Sequence, residues 1–292
     1  MSVQVRYYTD PACSWSWGAE PLLRRLIWEF DGELELAWVM GGLARHFGPE
    51  YRDDDGAIGS GPDCFADLMS HWLNVAGQTG MPCDPRLWTE NPIAGTYAAC
   101  LAVKAAEEQG WEAGYRYLRR LREGLIYGRR KLDNPSALIA EAEPAGLDVA
   151  QFERSLVSNG PLEAFSDDLD EVRDIPEEAR AAGKLSHTEG RERVSFPSVI
   201  FIGADGARHG IWGWQPLEAY REAALAAGAS RVNAGPLAPL EAIARFGSIS
   251  TREAEVLGES PGPPTCAELW RLAAEHRLLP VRALTGTVWE QA

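Results

Sequence analysis

"DPACSWSWGAEP", residues 10–21, places a single cysteine, Cys13, directly ahead of a helix start. The stretch before it, "VQVRYYT" (3–9), alternates Val3, Val5 and Tyr7 with polar positions in a β-branched and aromatic run, which predicts a strand ended by Asp10-Pro11. From Ser14 a helix is expected through "WSWGAEPLLRRLIWEF", bent in its first half by Gly18 and Pro21. A cysteine in that junction meets unpaired backbone N–H groups and the positive end of a helix dipole. Both favour thiolate over thiol. Three residues further on, where a second cysteine would complete a redox pair, stands Ser16.

Working outward, "ELELAWVMGG" (33–42) predicts a second strand with Leu34, Leu36 and Trp38 on one side. Residues 61–186 change to successive helical runs with glycine stops, in which Tyr115, Leu118, Leu121 and Leu125 fall three or four apart as a core-facing stripe. Strand signals return at "FPSVIFIG" (196–203), followed by the turn "ADG", a second strand "ARHGIWG" and the helix "PLEAYREAALAAG". This order is that of an α/β thioredoxin fold interrupted by a helical insertion. The expected units are 1–60 and 187–232 as the two parts of that fold and 61–186 as the insertion. Residues 233–292 then read as a small winged-helix-like module of helix, short strand, two helices and a hairpin.

"SFPS" (195–198) sits where a strand begins, and its proline cannot donate to a ladder. In a thioredoxin fold Pro197 would be a cis-proline beside the thiol, leaving the backbone of Phe196 free for substrate. Trp15 and Trp17 flank Cys13 with apolar surface suited to an extended peptide or an aromatic ligand.

Taken together, these segments resemble the DsbA-like thioredoxin-fold proteins, in the branch of predicted dithiol–disulfide isomerases, whose active segment reads "DPxCxWCWGxEP". "TGMPCDPRLW" (79–88), "YAACLAVKAAEEQG" and "YRYLRRLREGL" resemble that branch's insertion, and an adaptor group serving the ClpXP protease is related to it. The resemblance implies Cys13 as nucleophile and Pro197 as the cis-proline. Ser16 departs by replacing the resolving cysteine, and Phe196 departs where a small or β-branched residue is usual, narrowing access to the sulfur. Such a site cannot store two electrons as a disulfide. It can attack a disulfide and hold a mixed one until an outside thiol resolves it.

The net charge is −15, no segment is net basic, and residues 233–292 carry five basic against seven acidic side chains, which disfavours a nucleic-acid partner. No nucleic-acid or membrane partner is expected. Five cysteines at irregular spacing argue against a disulfide framework and for a reducing, cytoplasmic setting. Cys64 and His71 share a helix face but lack a second ligand pair, so no metal is expected. Cys83 and Cys100 read as core residues and Cys266 as a helix-packing one. Arg119, Arg120, Arg122, Arg129, Arg130 and Lys131 read as a solvated helix face.

The expected function is that of a monothiol thiol–disulfide oxidoreductase or isomerase. Cys13 would be its nucleophile, Ser16 the hydrogen-bond partner of the thiolate, and Trp15, Trp17, Phe196 and Pro197 the substrate surface. No cofactor is expected beyond a low-molecular-weight thiol such as glutathione as co-substrate. The partner is a protein or small-molecule thiol or disulfide, with the C-terminal module as a docking or homodimer surface. The alternative is a non-catalytic protein-binding adaptor that retains the fold.

Overall fold

The computed structural model describes residues 2–50 and 61–292. β1 (Val3–Thr9) runs into the turn at Pro11, and Cys13 caps a short helix, α1 (Ser14–Gly18). Ala19 breaks the helical path, and α2 (Glu20–Glu29) resumes it with Pro21 near its first position, where a missing N–H costs nothing. β2 (Leu34–Met40) then pairs parallel with β1, Val3 opposite Leu34 and Thr9 opposite Met40.

The insertion follows: α3 (Cys64–Thr79), α4 (Leu87–Glu90), α5 (Tyr97–Glu107) and α6 (Trp111–Arg122), which runs into a π turn at Glu123–Tyr127. The expected stripe of Tyr115, Leu118, Leu121 and Leu125 is buried. α7 (Pro135–Ala140), α8 (Val149–Leu156), α9 (Asn159–Glu171) and α10 (Glu177–Ala181) complete it. The sequence reading stopped its last helix at Gly160 and did not anticipate α9.

Nor did it anticipate the hairpin of β3 (Leu185–Thr188) and β4 (Arg191–Val194). Its turn is Glu189-Gly190, both with positive φ (54° and 68°), the two-residue geometry that matches strand twist. The boundary drawn between 186 and 187 falls inside β3.

β5 (Ser198–Ile202) returns antiparallel to β1, and β6 (Arg208–Ile211) pairs antiparallel with β5, giving the sheet order β2-β1-β5-β6. α11 (Leu217–Ala226) packs back against α2 and β6. The central strand β1 is therefore flanked by the strand before the insertion and the strand after it. That brings Cys13 to the end of the sheet where Pro197 begins β5.

The C-terminal module has its expected order: α12 (Pro239–Phe246), β7 (Ser248–Ser250), α13 (Thr251–Leu257), α14 (Pro263–Ala274), β8 (Leu278–Arg282) and β9 (Thr287–Gln291). Its strands form an antiparallel sheet, β7-β9-β8, over a small core that includes Ile249, Leu257, Leu269 and Trp289.

A charged network ties this module to the rest and corrects the reading of the arginine run as solvated at two of its positions. Arg119 and Arg122 are buried, as are Arg24, Glu20 and Glu253. Arg119 pairs with Glu253 at 2.7 Å and with Glu123 at 2.9 Å, and Arg24 reaches Glu253 at 3.1 Å. Glu20 accepts from Arg122 and from the Tyr115 hydroxyl at 3.0 Å. Next to it, Arg25 donates to the Leu257 carbonyl at 2.8 Å. Burying ions is costly unless each is paired, so the alternating signs of α2, α6 and α13 fit only when all three meet.

Candidate active site

The turn before Cys13 is held by Asp10, a fully buried residue. Its carboxylate accepts from the amides of Ala12 and Leu43 (both 2.8 Å), the Thr96 hydroxyl (2.7 Å) and the Cys100 thiol (3.3 Å). Burial and the Asp10 charge push the Cys100 thiol well up, so this sulfur serves as a donor to Asp10. The arrangement sets Cys13 at the cap of α1, where its sulfur accepts the amide N–H of Ser16 at 3.3 Å.

Across the sheet the Phe196–Pro197 peptide is cis, and the Phe196 carbonyl oxygen stands 4.0 Å from Cys13 Sγ. The Phe196 ring is wedged against Gly41: a Cβ there would fall 1.8 Å from ring carbon Cζ. The guanidinium of Arg193 covers the ring, 4.0 Å from its centroid.

Cys13 is only 6% exposed, yet it lines a cavity of about 740 Å³, within the range of small-ligand sites. Trp15 and Trp214 face each other there with ring centroids 6.4 Å apart. Trp72 and Trp88 contribute an edge-to-face pair from the insertion, which thus forms one wall, as a lid would. Lys184, Ser186 and Arg193, from the unanticipated hairpin and its approach, supply polar lining together with Ser195.

Burial pushes the Cys13 thiol above its ordinary range. The Ser16 amide opposes the shift, Asp10 reinforces it, and Arg122 opposes it. The Ser16 hydroxyl is buried without a hydrogen-bond partner among the described residues, so the bond that the sulfur accepts comes from the backbone.

Of the expected site residues, Cys13, Trp15 and Phe196 meet in the cavity, and Ser16 and Pro197 lie beside it. Trp17 does not join them. Two positions along a helix turn a side chain through about 200°, so Trp17 leaves the face that carries Trp15 and enters the core, 2% exposed. There it donates its indole N–H to the Pro82 carbonyl at 2.8 Å, beneath the Arg119 guanidinium at 4.4 Å. Arg193, Lys184 and Trp214 were missed. The turn residues Glu189-Gly190 within "SHTEGRE" (186–192) were the available signal for the first two.

A family profile described as thioredoxin matches residues 7–176, more than half of the chain. The chain belongs to this thioredoxin family. It is 32% identical over 176 residues to a ClpXP adapter protein SpxH of Halalkalibacterium halodurans, covering 59% of this chain and 55% of that protein. A Bacillus subtilis protein of the same name is 26% identical over 169 residues, 57% of this chain and 52% of the relative. The chain thus spans about half the length of these two relatives. With a Bacillus cereus counterpart the match is 24% identical over 294 residues, 99% of this chain and 90% of that one.

Among solved structures, a Nitrosomonas europaea protein assigned provisionally to the protein disulfide isomerases superposes with a TM-score of 0.59 at 20% identity, covering 77% of this chain and 97% of that one. The cytosolic disulfide reductase DsbM from Pseudomonas aeruginosa gives 0.51 at 20% identity, covering 71% and 88%. At such identities these likenesses speak for the fold. The DsbA-like architecture and its kinship with the adaptor group follow from these matches and the topology. No helix among the described residues is long and apolar enough to cross a membrane.

Proposed function

We propose that this thioredoxin-family protein carries out monothiol exchange at Cys13 in a reducing compartment. The observation that carries the reading is the placement of Cys13 Sγ. It receives the Ser16 amide at a helix cap, faces the Phe196 carbonyl of a cis-prolyl peptide, and lines the large cavity. The Cys13 thiolate attacks one sulfur of a disulfide RS–SR, the S–S bond breaks, and RS⁻ departs, leaving Cys13–S–S–R. With Ser16 in place of a resolving thiol, an external thiolate must attack the R-bearing sulfur to release Cys13. All five cysteines are free, which accords with a reducing setting.

The adaptor reading is the second, and two observations favour it. Burial holds the resting Cys13 as a thiol, and the relatives in the comparison bear the name ClpXP adapter. In that reading the cavity grips a protein client without bond exchange.

Incubation with a small aromatic disulfide, followed by peptide mass mapping, separates the two. Exchange predicts stoichiometric thiol release, an adduct on Cys13, catalytic turnover once a reducing thiol is added, and loss of all three in Cys13→Ala. Absence of any Cys13 adduct over hours, with client binding intact in Cys13→Ala, would leave the adaptor reading standing alone.

A further inference from the structure

Five arginines are buried among the described residues: Arg24, Arg25, Arg119, Arg122 and Arg193. The first four each pair with a carboxylate. Arg193, 4% exposed, has no such partner among the described residues. Its Nε donates to the Thr188 hydroxyl and its Nη1 to the Val194 carbonyl, both at 2.8 Å. These bonds and the Phe196 ring fix the guanidinium in place while leaving Nη2 without a hydrogen bond to any described residue. A buried charge left unpaired is unfavourable, and burial pushes Arg193 down to about 10. Lys184, also without a carboxylate partner among the described residues, lines the same cavity. In a chain with 43 acidic residues, no Asp or Glu among the described residues lines it.

We propose that Arg193, assisted by Lys184, is a carboxylate subsite of the Cys13 cavity, so that the thiol or disulfide exchanged there carries a carboxylate close to its sulfur. This rests on the exchange reading of Cys13. The substrate supplies the counter-ion that the fold withholds. A guanidinium already held by Thr188, Val194 and the Phe196 ring needs no reorganisation to accept it, which makes a charge-assisted bond more favourable.

Paired probes of matched shape test it: iodoacetate against iodoacetamide, and dithiodiglycolate against bis(2-hydroxyethyl) disulfide, each adduct assigned to Cys13 by mass mapping. In alkylation the thiolate displaces iodide and forms an S–C bond. In the disulfide arm it releases the free thiol, as above. The anionic-to-neutral rate ratio should exceed that of free cysteine by about tenfold, the scale of one charge-assisted hydrogen bond. Arg193→Met should bring the ratio back to that of free cysteine, Arg193→Lys should recover part of it, and Lys184→Met, at a partly exposed position, should lower it about threefold on the same scale. Should Arg193→Met fail to fold, the Lys184→Met ratio decides. A wild-type ratio equal to that of free cysteine, or an Arg193→Met variant slowing both probes alike, would overturn the subsite and leave exchange intact. Failure of every probe at Cys13 would remove the exchange reading and this proposal with it.

Discussion

Trp17 donates its indole N–H to the carbonyl oxygen of Pro82 across 2.8 Å, which props the helix that starts at Cys13 against the loop between α3 and α4. The same loop is gripped from the other side. The amide of Cys83 donates to the Thr285 hydroxyl at 2.8 Å, and the Thr285 amide returns a bond to the Cys83 carbonyl at 3.1 Å. A chain of direct contacts therefore runs from the β8–β9 turn of the C-terminal module, through residues 82–83, to the back of α1.

Thr285→Val keeps the shape of this clasp and removes the acceptor for a buried N–H. An orphaned backbone donor costs about 1–3 kcal/mol, and here the loss falls on a loop rather than on the core. Amide exchange over residues 80–84 should accelerate by about fivefold or more on that scale, and Cys83, now buried, should become alkylated faster. Unchanged protection of this loop would mean that the module only abuts it.

The charged junction behind the site makes a stronger demand. Glu253 faces both Arg24 and Arg119, and those arginines hold its carboxyl below the usual range against the opposing effect of burial. Glu253→Gln leaves two buried guanidinium groups short of charge, a loss of about 3–5 kcal/mol for a broken buried pair. Urea denaturation should show a lowered midpoint. Breaking an exposed pair such as Arg271–Glu268 should leave the midpoint almost unchanged, because water screens it. If Glu253→Gln matched a surface pair in cost, water would have to be solvating the junction already.

The Cys13–Ser16 relationship bears on what the serine has removed. Cys13 is the cap and Ser16 the third residue of α1, and the amide of the latter already points at the sulfur. Ser16→Cys should therefore form a reversible intramolecular disulfide under mild oxidant and raise reductase activity toward insulin. Thiol counting before and after oxidation reads the outcome, a loss of two thiols per chain. A variant that stayed a dithiol would show that the cap geometry cannot close the bond.

Most of this architecture was legible in the chain because its signals are local. Alternation marks β1 and β2, Pro21 and Gly18 mark the break between α1 and α2, and the apolar spacing of α6 marks a core stripe. Cys13 and Phe196-Pro197 could be joined because the element order implies one sheet. What escaped depends on contacts distant in sequence. Arg119 and Arg122 resemble surface residues until Glu20 and Glu253 arrive from elements about a hundred or more residues away. Trp17 stands two positions after Trp15 in sequence and therefore on the opposite side of the helix. Arg193 follows Arg191 and Glu192 in a four-residue strand and resembles a surface charge until Thr188 and the Phe196 ring are seen to hold it inward.

Asp168 offers a test of the junction between β2 and α9 through pH. Its carboxylate accepts the Met40 amide at 2.8 Å and faces Lys104 at 3.1 Å, yet burial dominates and pushes it up to about 6. Its unfolded value lies near 3.9. The native state therefore holds this proton more tightly than the unfolded chain. The contribution is fully present below about pH 4 and is lost as pH rises through about 6. A shift of about two units corresponds to roughly 2–3 kcal/mol at most. Asp168→Asn can still accept from Met40 while carrying no titrating proton, and Lys104 keeps Glu107 at 2.5 Å. Urea midpoints taken every half unit from pH 4 to pH 7 should show the wild type losing stability relative to the variant as pH rises. Parallel curves for the two proteins across that window would mean that Asp168 is ionised throughout and that Lys104 outweighs its burial.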